Sequence, residues 1–209
     1  MSDMNITVSG AKRLLTKGKY CDKNIVVTAG DSYHNDFWEA YQEKGERKQY
    51  TYAFSGVGWD DVSYDPKYTI AATSQCDAMF YNASKITSTK KPIIIDTFSS
   101  AYNVFAYCMA LKAIPSLKIT ESVPIFTGWF TYCSALEELN MTQDSVISAN
   151  ISLEDSFRLN TASVQSILNA LQDRTGLSSQ TLTLHATVGG QLTPEQKATI
   201  TAKNWQLVY

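Results

Sequence analysis

Cysteine, histidine and glycine are scarce in this chain of 209 residues, which has four, two and ten of them. Cys21, Cys76, Cys108 and Cys133 form no CxxC pair and have no histidine at ligand spacing, which argues against a zinc cluster or a disulfide scaffold. They are read as free thiols, Cys108 and Cys133 among them as buried and unbridged. His34 and His185 likewise lack a Cys, Glu or second His at ligand spacing. Neither a GxSxG elbow nor a Walker loop is present. The single GxG at 56–58 lacks a third glycine and a following helix, and Asp60, Asp61 and Asp65 lack the spacing of a calcium loop. Glu137 and Glu138 are adjacent, so on a strand they face opposite ways and cannot flank one bond. The expectation is a non-enzymatic protein with no cofactor and no metal.

Charge of one sign is missing too. Eighteen Lys and Arg against twenty Asp and Glu leave a net charge of −2, which makes no general case for nucleic acid or an anionic membrane. The one basic concentration, Lys12, Arg13, Lys17, Lys19 and Lys23, reads as a solvated face or a docking surface for a neighbouring protein. No apolar run approaches the ~18 residues of a membrane span. The opening "MSDMNITVSGAKRLLTKGKY" has no apolar core of a secretory signal, so synthesis in the cytoplasm without membrane insertion is expected. Asn5, Asn82, Asn140 and Asn150 each head an N-x-S/T triplet, which matters only on a eukaryotic secretory route.

Aromatics are what the chain has in quantity: twelve Tyr, eight Phe and four Trp. They recur in register. "VFAYCMALKAI" (104–114) and "WFTYCSALEEL" (129–139) repeat one phrase, and a 25-residue period also aligns Phe80 with Phe105 and Phe130. The same register superposes Met79, Val104 and Trp129, then Ile86, Leu111 and Leu136. Ala83 shares a column with Cys108 and Cys133, and Asn82 with Tyr107 and Tyr132. Short strand-like alternations follow each phrase at 92–96, 117–119 and 139–141. A unit of this size cannot bury its apolar side alone and becomes stable when the next copy stacks on it, with the Phe column and the Leu/Ile column inside.

Around the repeats, "NITV" and "KNIVVTA" predict strands within residues 1–30. Residues 35–48 predict a short helix, with Phe37, Ala40 and Tyr41 on one side. "YTYAF" then predicts a strand, and 56–66 is turn-rich. Near the end, Thr161 can cap a helix whose Val164, Ile167, Leu168 and Leu171 form one apolar face, with Gly176 beyond it. "TLTLHAT" (181–187) alternates as a strand. "TPEQ" (193–196) starts a second helix as a capping box, Asn204 can end it in a left-handed turn, and "WQLVY" closes as a strand.

The run FxYCxALxxL resembles the BspA-like leucine-rich repeats of bacterial surface proteins. The segment 14–30 is similar to short modules of minor structural and tail-associated proteins of bacteriophages and prophages, and 160–209 to the closing segment of such repeat proteins. The resemblance implies an α+β fold: a short leucine-rich-repeat-like solenoid of about 25-residue units, one short strand each, closed by a helix-strand-helix-strand cap. Its divisions are 1–30, an N-terminal β attachment module; 31–70, an N-terminal cap; 71–158, the solenoid; and 159–209, the C-terminal cap.

It further implies a structural or adhesive component of a phage or prophage-derived particle, located in the virion. The partners would be other virion proteins through 1–30 and a host surface receptor, with no nucleic acid, and the assembly a homo-oligomer. The alternative is a secreted cell-surface adhesin of the same repeat type. Lys118 and Asn140, outward on the repeat strands, are the candidate partner-binding residues.

Overall fold

A computed structural model describes residues 53–62, 64, 66, 69–72, 75–97 and 100–209, together with the backbone of 13–15 and 25–27. Strands β1 (Arg13–Leu15) and β2 (Ile25–Val27) pair antiparallel, Arg13 opposite Val27. β2 falls within the expected "KNIVVTA" strand. β1 lies inside the stretch expected to be a polar connector, because Leu14 and Leu15 interrupt its charges with apolar residues. "NITV" and the 35–48 helix lie outside the described residues.

The remainder is mixed α/β, with parallel sheets and few helices. One sheet holds β3 (Ile70–Ala72), β4 (Ile93–Ile95), β5 (Ala113–Ile119) and β6 (Glu138–Met141), in that order and all parallel. Parallel neighbours need a crossover, and here a turn on the other side of the core lies between one strand and the next. Ile70 is opposite Ile93, Ile93 opposite Leu117, and Leu117 opposite Met141. These residues and the positions two along, Ala72, Ile95 and Ile119, are all buried, while the residues between them are partly exposed. A register shift between Ile114 and Leu117 admits Pro115, which has no N–H to give a ladder.

The other side of each circuit is a turn rather than a strand, yet it too is hydrogen-bonded to its neighbour. The N–H groups of Phe80, Phe105 and Tyr107 donate to the carbonyls of Val104, Trp129 and Thr131 at 2.7, 3.0 and 2.8 Å. Inside these turns the Phe rings stack: Phe80 on Phe105 at 5.4 Å and 16°, and Phe105 on Phe130 at 5.6 Å and 7°. The column starts earlier than Phe80. Phe54 stacks on Phe80 at 4.9 Å and 22°, and its N–H donates to Met79 O at 2.7 Å. Phe54 was expected in a strand but lies in a turn, ringed by Trp59 and Tyr64 edge-on. Ile86, Leu111, Leu136 and Leu159 are buried as a second row.

β6 does not end in an open edge. α1 (Thr161–Ala170) lies against it, and its serine hydroxyls stand where the next strand's carbonyls would. Leu139 N–H donates to Ser163 Oγ at 2.9 Å, and Met141 N–H to Ser166 Oγ, which in turn donates to Leu139 O at 2.9 Å. The N-cap of α1 is Asn160, whose side chain accepts from Ser163 N–H, so Thr161 is the first helical residue instead of the cap.

A second parallel sheet follows, made of β7 (Ile151–Leu153), β8 (Gln180–Leu184) and β9 (Trp205–Val208). β8 is shorter than the alternation suggests. His185 caps α2 (Ala186–Gly189), its Nδ1 accepting from Thr187 N–H at 3.1 Å, and the chain turns there. α3 (Pro194–Ala202) has the expected capping box between Thr193 and Gln196. Asn204 takes the left-handed conformation, φ +59°, that ends α3. Lys203 donates to the carbonyls of Leu168, Asn169 and Leu171, so the last helix closes the open C-terminus of α1. Among the described residues no helix is long and apolar enough to cross a membrane.

Candidate functional site

Each turn opposite the strands bends through two left-handed residues. Ala78, Asn103 and Gly128 form the first set, with φ of +53°, +54° and +70°; Asn82, Tyr107 and Tyr132 form the second, with φ of +58°, +63° and +57°. Asn and Gly are the residues that accept this conformation readily. Packing leaves no room at Gly128, where an added Cβ would come within 1.9 Å of Asn103 Oδ1.

The second set carries an unusual choice. A left-handed tyrosine is strained by roughly 1–2 kcal/mol, and here the inter-turn hydrogen bonds hold two of them in place. Their side chains project outward, Tyr107 37% and Tyr132 51% exposed. The rings meet at 4.9 Å and 37°, and Tyr81 continues the row with a 5.2 Å, 59° contact to Tyr107. Met109, Tyr102 and Phe157 are also exposed.

Carboxylates bridge the circuits along this surface. Asp77 accepts from Tyr102 N–H at 2.7 Å and from Ser100 Oγ. Asp155 accepts from Tyr132 N–H at 2.7 Å, doing at the end of the turn ladder what Thr131 O does for Tyr107. Elsewhere Asp61 accepts from Thr87 N–H at 2.8 Å and from its hydroxyl, and Asp96 accepts from Thr120 and Ser122, both at 2.7 Å. These acids serve as acceptors between circuits, each committed to a local hydrogen bond.

Lys118 and Asn140 stand on neighbouring strands, in the partly exposed positions between buried residues. Each is engaged. Lys118 forms an ion pair and hydrogen bond with Asp144, and Asn140 Nδ2 donates to Glu138 Oε1 at 2.6 Å. Asp144 is held at a pKa of about 2, first by the Lys118 hydrogen bond and then by that of Thr142. Glu137 faces Arg158 at 3.6 Å, apart from the Glu138 contact. Among the described residues no three His, Cys, Asp or Glu side chains are placed to hold a metal ion.

Cys76, Cys108 and Cys133 are free and buried; Cys21 lies outside the described residues. Burial pushes the thiols of Cys76 and Cys108 up to about 12, with the charge of Asp77 adding to the effect at Cys76, and also raises Cys133 well above its ordinary value. Cys108 and Cys133 donate to Phe80 O and Phe105 O at 3.0 and 3.1 Å, so they fasten one turn to the one before it.

The row Tyr81, Tyr107 and Tyr132 was not anticipated as a surface. Its signal was the column Asn82–Tyr107–Tyr132, since an Asn in register marks a left-handed position whose side chain leaves the core. Compared with protein-family models, with curated proteins and with solved structures, the chain matches none of them.

Proposed function

We propose that residues 71–158 build a short solenoid of the leucine-rich-repeat kind, with the Phe54 turn stacked on its first copy and the segment 159–209 closing it. In this reading the chain is a non-enzymatic structural or adhesive component of a phage or prophage-derived particle. The observation that carries it is the coincidence of two ladders at the same spacing, parallel strands on one side and stacked Phe54, Phe80, Phe105 and Phe130 on the other. Stacked circuits of this kind present a broad, regular surface without a pocket, which suits display and recognition. The acids committed between circuits support a structural role over acid–base work.

The module 1–30 attaches the chain to neighbouring virion proteins, and the repeat surface faces a receptor. The assembly is a cyclic homo-oligomer, as is usual for protein appendages. Mass spectrometry of purified particles tests this reading: the chain is expected in many copies per particle. Its recovery from intact, uninduced cells and absence from particles would assign it instead to a cell-surface adhesin.

A further inference from the structure

Tyr107 and Tyr132 occupy left-handed positions where Asn82 shows that a small polar residue fits without strain. Their rings are partly exposed, and what offsets that strain includes contact along the surface, Tyr107 with Tyr81 at 5.2 Å and with Tyr132 at 4.9 Å. Strain kept at exposed aromatic residues marks a surface held for contact.

Three features define what it contacts. The first is charge. Carboxylates of Asp77 and Asp155 lie along the strip, bonded to the N–H groups of Tyr102 and Tyr132, and Arg158 faces Glu137. Single-stranded nucleic acid needs a basic groove beside its stacking rings, and among the described residues this strip offers two carboxylates and a single cation, Arg158, which lies over the Phe157 ring at 5.5 Å and is paired with Glu137. The second is area. Tyr107, Tyr132 and Met109 are 37%, 51% and 52% exposed. With Tyr102 and Phe157, 41% and 43% exposed, these side chains offer on the order of 450 Å² at roughly 200 Å² each, short of the ~800 Å² per partner of a specific protein interface. The third is shape. Beyond Tyr107, Tyr132 has no further ring partner among the described residues; the next position at the same 25-residue spacing is the exposed Phe157, and Asp155 accepts from Tyr132 N–H, so the aromatic strip runs beside a hydrogen-bond acceptor.

We infer that this strip binds a neutral saccharide chain, whose sugar rings have an apolar C–H face to lie on tyrosine and a hydroxyl rim to reach Asp155 and the phenol groups. The inference names the ligand class for the display surface proposed above, and rests on that reading only for its biological setting.

The probes are β-1,4-linked hexamers of glucose and of N-acetylglucosamine, titrated at up to millimolar concentration into the full chain by calorimetry, with tyrosine ring shifts followed by NMR. Wild type is expected to bind at least one hexamer and shift the Tyr107 and Tyr132 resonances. Tyr107→Asn and Tyr132→Asn should each weaken binding about tenfold or more, with the chain still folded at the titration temperature, because the strain that Asn relieves offsets much of the ring contact it removes. Tyr132→Phe should keep binding. The proposal is overturned if neither hexamer binds, if the Asn variants bind as wild type does, or if both Asn variants unfold, which would make the rings part of the fold. Absence of the chain from purified particles would sink the display reading while leaving saccharide binding intact.

Discussion

Phe105 sits in the middle of a four-ring column, stacked at 5.4 Å on Phe80 and at 5.6 Å on Phe130, and fully buried. If the column is a ladder of nearest-neighbour contacts, its energy should couple in the same pattern. Replacing any one of these rings by Leu keeps the site apolar and costs on the order of 1.5 kcal/mol. Stacked pairs contribute about 0.5–1.5 kcal/mol beyond their area, and a double-mutant cycle isolates that part. The cycles Phe80→Leu/Phe105→Leu and Phe105→Leu/Phe130→Leu should therefore each show coupling of about 0.5–1.5 kcal/mol. The cycle Phe80→Leu/Phe130→Leu, whose rings are separated by Phe105, should be additive within about 0.5 kcal/mol. Equilibrium urea unfolding measures all seven proteins, and an m-value shared across the set keeps them comparable. Coupling between Phe80 and Phe130 as large as either neighbouring pair, or none between neighbours, would refute a stacked column.

Thr89 is fully buried, and its hydroxyl has no hydrogen-bond partner among the described residues. Thr89→Val keeps the shape and removes the orphan group, so chemical denaturation should find it more stable by about 1 kcal/mol; a loss of stability would show that the hydroxyl is satisfied. Asp144 has a folded pKa of about 2, below its ordinary 3.8, so the Lys118 contact stabilises above pH 3.8 and fades as pH falls from there toward about 2. An NMR titration should place the Asp144 midpoint near 2, and Lys118→Met should return it toward the usual carboxylate range. The buried thiols should resist a disulfide reagent at pH 8 in a Cys21→Ser background, and react only on unfolding.

Recurrence in the sequence made part of the buried core readable in advance. Phe80, Phe105 and Phe130 stand out because one ring recurs at one spacing, and their columns of Leu and Ile follow with them. Phe54 escaped notice because it precedes Phe80 by one residue more than the period, and because Trp59 and Tyr64, which pack edge-on against it, have no aromatic counterparts in the later copies. The capping box at Thr193 was legible because every group in it is local. Asn160 and Thr161 are both good caps, and composition does not choose between them. His185 continues an apolar-polar alternation, so only the hydrogen bond from Thr187 shows that the strand has ended.

Ser163 and Ser166 could not be read as an edge cover, since their role depends on which strand lies beneath α1. The tyrosine row was half legible: the column was visible, but not that its backbone is left-handed and its rings therefore outside.

The stacking of successive circuits can be tested by a covalent link across them. Ile94 and Lys118 are paired on β4 and β5, 24 positions apart in sequence, both partly exposed. Parallel neighbours lie about 4.8 Å apart, within the 4.4–6.8 Å that a disulfide spans. In a Cys21→Ser background, Ile94→Cys with Lys118→Cys should oxidise in air to an intramolecular disulfide identified by peptide mass spectrometry, while Ile94→Cys with Asn140→Cys, two strands away, should stay reduced. A bridge in the second pair and none in the first would contradict the register on which the account depends.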